Sequence, residues 1–258
     1  MRSKLRHAII MAGGKGSRLA PYTTVLPKPL MPVEDQPILE VVIRQLSHFG
    51  FRHVTISVGH LGELIMAFFG NGQRWQVNIE YAIEDTPQGT VGSLRNIDMP
   101  AEPFLVMNGD VLTDLDYEAL FRDHVRSDSL LTIAGCRRRI DVSLGVLEYG
   151  ADRTLTGFRE KPQIDFDVSM GIYVMSPAIR SVFPSRGPYG FDQLVNDLLA
   201  ADLPPRIFPF DGLWLDIGRK EDYESAAETF RAQRHRFLRP PKKGSPGVVG
   251  SRNGALSL

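Results

Sequence analysis

Ala8-Ile9-Ile10-Met11-Ala12-Gly13-Gly14-Lys15-Gly16-Ser17-Arg18-Leu19 decides how the chain is read. Ala8–Met11 is continuously apolar, as a strand covered on both sheet faces must be. The three glycines that follow let backbone N–H groups turn toward a bound phosphate, and Lys15 and Arg18 add positive charge. Two commoner phosphate motifs do not fit. A Walker loop needs Ser or Thr after Gly-Lys, where Gly16 stands. A dinucleotide fingerprint could start at Gly14-Lys15-Gly16, but Leu19 occupies its third glycine position. Taken alone, the segment also fits a tight strand-to-helix turn with solvated charges.

Outward from this segment, short β-rich runs alternate with helix-patterned ones. Strands are expected at Ala8–Met11, Val54–Val58, Ile79–Ile83, Phe104–Met107, Leu130–Ala134 and Ile172–Met175. Ile38–Phe49 sets Leu39, Val42, Ile43, Leu46 and Phe49 on one helical face, with Gly50 as a stop. Asp116–Val125, Phe191–Ala201 and Arg219–Phe237 read as further helices. This alternation predicts an α/β fold, a mostly parallel sheet sandwiched by helices. Arg137–Lys161 reads as β-hairpins, so the sheet is expected to be mixed. A single catalytic domain is expected over residues 1–238. Beyond it, Pro240-Pro241, Lys242-Lys243 and a Gly/Ser-rich remainder cannot bury a core, so residues 239–258 are expected to form a flexible tail.

Composition narrows the function classes. The 258 residues carry 30 Lys plus Arg against 30 Asp plus Glu, so no global field favours nucleic acid or an anionic membrane. The single cysteine, Cys136, lies in a strand-like apolar run and reads as an inert buried thiol in a reducing compartment. The basic start, Met1–His7, precedes an apolar run too short for a signal peptide, and no run reaches the ~18 residues of a membrane span. A soluble, cytoplasmic protein is expected. None of the six histidines forms a metal-like pair, and all six read as non-catalytic.

Other residues look chemical once the glycine segment is in view. Pro27-Lys28-Pro29 fixes the backbone around one lysine, a low-entropy way to hold an ammonium against phosphate oxygens. Phe104-Leu105-Val106-Met107-Asn108-Gly109-Asp110 is an apolar strand ending in an aspartate, where open α/β sheets bind ligands. Asp216, in Trp214-Leu215-Asp216-Ile217-Gly218, ends another strand-like run. Two such carboxylates could share one Mg²⁺ with phosphate oxygens; each could equally be a turn residue or a helix cap.

Met11–Leu19, Leu26–Pro32 and Pro37-Ile38-Leu39-Glu40 together resemble the sugar-1-phosphate nucleotidyltransferases, or nucleotidyl-sugar pyrophosphorylases. The resemblance runs from about His7 to Phe230 and is nearest to the mannose-1-phosphate guanylyltransferase-like branch. It implies a Rossmann-like domain in which Ala12, Gly13, Gly14 and Gly16 wrap a nucleotide and Gln88, Gly89 and Thr90 lie beside its base and ribose. Arg18 and Lys28 would meet the phosphates, with Lys161 as a third catalytic cation. Asp110 and Asp216 match the two metal-ligand positions, for Mg²⁺. Gly145, Glu160, Lys161 and Ser169 would face the sugar phosphate. Without the resemblance, Gln88 is equally a solvated turn residue, and Glu160-Lys161 a surface charge pair.

One departure stands out: many relatives carry Asn-Ala-Gly where this chain has Ser169-Met170-Gly171. Ser169 is shorter than Asn, and Met170 is expected to make the acceptor wall more apolar. The expected reaction is therefore Mg²⁺-dependent transfer of a nucleoside monophosphate, with GTP the favoured donor, to a sugar 1-phosphate. A cyclitol phosphate or phospho-alcohol acceptor remains an alternative. So does a non-catalytic subunit that binds nucleotide sugar. Base, sugar and oligomeric state, a homodimer included, are not fixed by these residues.

Overall fold

The computed structural model describes residues 6–84, 86–218 and 220–239. Arg219, the expected start of the last helix, and residues 240–258 of the expected tail lie outside the described residues. In chain order the strands are β1 (Arg6–Ala12), β2 (Pro32–Val33), β3 (Gln36–Pro37), β4 (Phe51–Val58), β5 (Asn78–Ile83), β6 (Phe104–Asn108), β7 (Val111–Thr113), β8 (Leu131–Asp141), β9 (Val146–Tyr149), β10 (Leu155–Arg159), β11 (Gln163–Met175), β12 (Arg206–Phe210) and β13 (Trp214–Asp216). The α-helices are α1 (Ile38–His48), α2 (Gly62–Phe69), α3 (Tyr117–Val125), α4 (Phe191–Ala200) and α5 (Lys220–Phe237).

Seven strands form one sheet in the order β12-β8-β11-β6-β1-β4-β5. β6, β1, β4 and β5 are mutually parallel, β12 is parallel to β8, and β11 runs antiparallel to both β6 and β8. The sheet is thus mixed and mostly parallel, as the alternating pattern predicts. From β1 the chain moves outward to β4 and β5, then crosses to the opposite side of β1 for β6. That reversal opens a crevice at the carboxyl ends of β1 and β6, where open α/β sheets bind ligands.

Alternate residues of β1 explain its unbroken hydrophobicity. Ala8, Ile10 and Ala12 enter one core with Leu39, Val42, Ile43 and Leu46 of α1. Ile9 enters a second core with Phe104, Tyr173, Leu194 and Leu198. A third cluster packs Phe230 and Phe237 of α5 on Leu19, Val33, Ile38 and Ile217, which braces the chain leaving the glycine segment. Arg239 joins the packed body: its guanidinium donates to Asp114 O at 2.8 Å and lies 5.1 Å from the Phe49 ring.

Two expectations need adjustment. The segment 137–161 contains one hairpin, β9 against β10, but its first residues continue β8, and β11 begins at Gln163, far ahead of Ile172. Their apolar–polar mixture hides strands that leave the core and become two-sided in solvent. β12 and α2, both short, were not among the elements expected.

Candidate active site

The glycine segment follows β1 directly. Gly16 adopts φ +61°, a left-handed conformation that costs Gly little and other residues more. Its carbonyl accepts from the Thr23 hydroxyl and the Leu19 amide, each at 2.9 Å, so the loop closes on itself before the Ser17–Leu19 turn. Beneath Gly13 lies Glu84, just past the end of β5; a Cβ on Gly13 would sit 3.1 Å from its Oε1. Ser57 of β4 donates to the same carboxylate oxygen. Gly59 crosses so close to Gly13 that a Cβ would meet Gly13 O at 2.8 Å. Sequence reasoning missed Ser57 and Gly59, and gave Glu84 no role beyond opening the loop that leads to Gln88. Their position at the carboxyl ends of β4 and β5 was the available signal.

Lys28 sits in a short helical turn, Lys28–Leu30, entered from the extended backbone of Pro27. It is only 8% exposed, and its ammonium pairs with the Asp110 carboxylate. Asp110 is held by the turn after β6, where the Gly109 amide donates to Met11 O at 2.9 Å. Asp216 arrives from the far end of the sequence because β13 pairs antiparallel with β7, setting Asp216 opposite Val111. Burial pushes the Asp216 carboxyl above the usual carboxylate range; Lys28 and Arg18 pull it down, and Asp110 adds to the rise. A Cβ on Gly218 would lie 3.2 Å from Asp216 Oδ2 and 3.5 Å from Arg18 Nη1. Arg18, Lys28, Asp110 and Asp216, spread over 199 positions from residue 18 to residue 216, therefore converge at the sheet's crossover point.

This set suits a divalent cation only in company. Among the described residues no group of three or more His, Cys, Asp or Glu could hold a metal. Two hard carboxylates that feel each other's charge fit the habit of Mg²⁺, which takes one or two protein carboxylates and completes its shell with substrate phosphates and water.

The remaining predicted residues form separate groups. Gly89 has φ +79°, and a Cβ there would meet Tyr189 O at 2.7 Å. Its close approach is thus to the chain at Tyr189, whose carbonyl accepts from the amides of Val91 and Gly92. The Gln88 amide donates to Thr86 Oγ1 at 2.9 Å and accepts from Arg95 at 3.1 Å, while exposed Thr90 follows in the same loop. On the β9–β10 hairpin, a Cβ on Gly145 would lie 3.3 Å from Glu160 Oε2, and Lys161 Nζ lies 3.9 Å from Glu160 Oε1. Among the described residues, no ion pair joins this hairpin group to Asp110 or Asp216.

Ser169 stands where the β11–β8 ladder breaks: Ser169 pairs with Gly135, and the next pairing is Tyr173 with Ile133. The bulge lets its hydroxyl donate to Tyr173 Oη at 3.3 Å, and that ring stacks on Phe191 at 4.0 Å. Met170 is fully buried in the first core, its carbonyl accepting from Trp214 Nε1. It cannot line an acceptor wall, which corrects that expectation. His124 is a core residue, with Thr132 Oγ1 at 2.8 Å and Ser176 Oγ at 2.9 Å on its two ring nitrogens.

The site is thus a glycine loop at the crossover point of an α/β sheet, with two convergent carboxylates and two convergent cations. The chain belongs to the nucleotidyl transferase family, whose model matches residues 7–233. It is 30% identical over 239 residues to a UTP–glucose-1-phosphate uridylyltransferase of Synechocystis sp., covering 85% of this chain and 62% of that protein. It is 29% identical over 256 residues to the mannose-1-phosphate guanylyltransferase catalytic subunit beta of Danio rerio, covering 95% and 70%. The chain thus spans about three fifths of the length of the first of these relatives. In three dimensions it matches HddC from Yersinia pseudotuberculosis complexed with GMP-PN, with a TM-score of 0.67 and 26% identity, over 88% of this chain and all of that one. A putative glucose-1-phosphate thymidylyltransferase from Bacillus anthracis shares the fold, with a TM-score of 0.68 at 24% identity over 88% of this chain and 95% of that one.

Proposed function

We propose that the chain is an enzyme that transfers a nucleoside monophosphate from an NTP to a sugar 1-phosphate, releasing pyrophosphate. The observation that carries this reading is the convergence of Arg18, Lys28, Asp110 and Asp216 at the crossover point beneath the glycine loop. A sugar phosphate is already an anionic oxygen nucleophile, so no strong base is required. The barrier is repulsion between two anions and growing charge on the leaving group. The acceptor oxygen attacks the α-phosphorus in line; an O–P bond forms as the bond to the β-phosphate oxygen breaks. Arg18 and Lys28 bind the β/γ end and take up the developing pyrophosphate charge. Asp110 and Asp216 would hold Mg²⁺, which supplies charge neutralisation across the phosphates when bound. Lys161 holds the acceptor phosphate, Gly145 and Glu160 its hydroxyls, and Gln88, Gly89 and Thr90 border the base.

GTP is the favoured donor, supported by relatives named as guanylyltransferases and by the HddC complex with GMP-PN; the uridylyltransferase relative supports UTP as its main rival. The departure at Ser169 keeps one second reading open, an acceptor that is not a sugar, because a serine reaches less far than an asparagine. The catalytic unit is taken to be residues 1–238, acting in the cytoplasm; no helix among the described residues is long and apolar enough to cross a membrane. The test is a panel: five NTPs against several sugar 1-phosphates, a cyclitol phosphate and a phospho-alcohol, with pyrophosphate release as readout. Release that needs both acceptor and Mg²⁺, fastest with GTP, is expected. Acceptor-independent hydrolysis or indifference to chelation overturns the reaction class; a higher kcat/KM with another NTP overturns the donor.

A further inference from the structure

A cleft of about 590 Å³ lies behind the Gln88 loop, between the turn Gly92–Asn96 and the segment around 180–187. Three guanidiniums, Arg95, Arg180 and Arg186, line it, together with the neutral polar groups of Asn96 and Ser185, and no acidic residue does. Arg95 donates from Nε to Gly92 O at 3.2 Å, from Nη1 to Pro184 O at 3.0 Å, and from Nη2 to Gly187 O and Gln88 Oε1. Every one of these acceptors is uncharged. Among the described residues Arg180 and Arg186 meet no carboxylate either. Arg137, Arg139, Arg206 and Arg236, by contrast, each meet a carboxylate.

Three uncompensated guanidiniums around one concave, half-walled space repel one another and attract a multivalent anion. Guanidinium matches phosphate bidentately, and the volume is within the range of small-molecule sites. We infer that the cleft formed by Arg95, Arg180 and Arg186 binds a small metabolite bearing two phosphates, at a site separate from the Asp110–Asp216 crevice. The separation follows from the lining: none of Arg18, Lys28, Asp110 and Asp216 borders the cleft, which meets the proposed nucleotide site at Gln88. Arg95 is the connection, because the same guanidinium that faces the cleft holds the Gln88 side-chain oxygen. Drawing Arg95 onto a phosphate frees that oxygen to accept from a base. Occupancy should therefore lower the KM for NTP, an effect that rests on the placement of Gln88 beside the base.

The test is calorimetric titration of the full chain, without nucleotide, using 2,3-bisphosphoglycerate, with inorganic phosphate as the monovalent-site control. Wild type should bind one equivalent, and about tenfold more tightly than it binds inorganic phosphate. Arg180→Ala/Arg186→Ala should lose this binding while keeping wild-type turnover, and Lys28→Ala should retain it. No binding by wild type, equal binding by the double variant, or loss in Lys28→Ala overturns the site. Saturating probe should lower the NTP KM about fivefold in wild type and leave it unchanged in the double variant. Binding without a change in KM overturns the link through Arg95. If no NTP is turned over at all, the proposed reaction fails while the titration still decides the cleft.

Discussion

The parallel half of the sheet and the antiparallel arm make a useful contrast. In β1, β4 and β6 most side chains are buried and none is exposed, and the residues at their carboxyl ends are fixed by the cores below them. In the outer halves of β8 and β11, and in β9–β10, most side chains are exposed and the ordering comes from cross-strand pairs such as Arg139–Asp165 at 2.8 Å. The lysines show the same division: the Lys28 side chain is 10% exposed, that of Lys161 68%. Lys28 is preorganised for charge stabilisation, where small displacements are costly. Lys161 can follow acceptors of different shape. The difference teaches that this molecule fixes the chemistry on the packed half and leaves choice to the arm.

The largest effect should come from the packed half. Asp216→Asn and Asp110→Asn should each lower kcat by about 10² or more at saturating Mg²⁺, measured by pyrophosphate release. Their stabilities should differ. Asp110→Asn strands the buried Lys28 ammonium and should lower Tm, whereas Asp216→Asn removes a carboxylate whose charge is already disfavoured by burial and by Asp110. Near-normal turnover in either variant makes that aspartate structural.

Lys161→Ala should instead raise the acceptor KM about tenfold, the cost of losing one charge-assisted bond, with Tm unchanged. A fall in kcat alone would give the arm a chemical role and erase the contrast. Smaller still, Ser169→Asn should reorder sugar phosphates by several-fold in kcat/KM and leave the NTP KM alone, since one neutral hydrogen bond is worth about 0.5–1.5 kcal/mol. An unaltered ranking with reduced Tm would assign Ser169 to the bulge and its bond to Tyr173.

His124 tests the core without touching the site. Burial lowers its pKa from 6.5 to about 4. The unfolded chain therefore takes up a proton that the folded one refuses, so stability is full above about pH 6.5 and falls as pH drops toward 4. His124→Gln should shrink the Tm loss between pH 7 and pH 5. An unchanged loss would place the acid sensitivity elsewhere.

Most of the packed half was legible because burial on both faces writes continuous apolar runs, and glycines and prolines mark where the backbone turns. Asp110 could be placed at a strand end from its own sequence neighbourhood. Asp216 could not be joined to it without the family resemblance, since that proximity depends on β13 pairing with β7 across a separation of 100 residues or more. The arm was read only as hairpins: solvent on both sides removes the alternation that sets register, and Gly171, with φ +70°, is the local mark of the bulge after Ser169. Arg95 and the Tyr189 contact were invisible for another reason: their role lies in neutral backbone acceptors, which leave no mark on sequence.

The most direct test of the central claim follows the phosphorus atoms. NTP labelled with phosphorus-32 at the α or the γ position is incubated with the full chain, Mg²⁺ and the acceptor that the panel selects. Transfer at the crossover point predicts α-label in a new nucleotide-sugar product and γ-label wholly in pyrophosphate. Gamma-label on the acceptor, or α-label released as free nucleoside monophosphate, would contradict it.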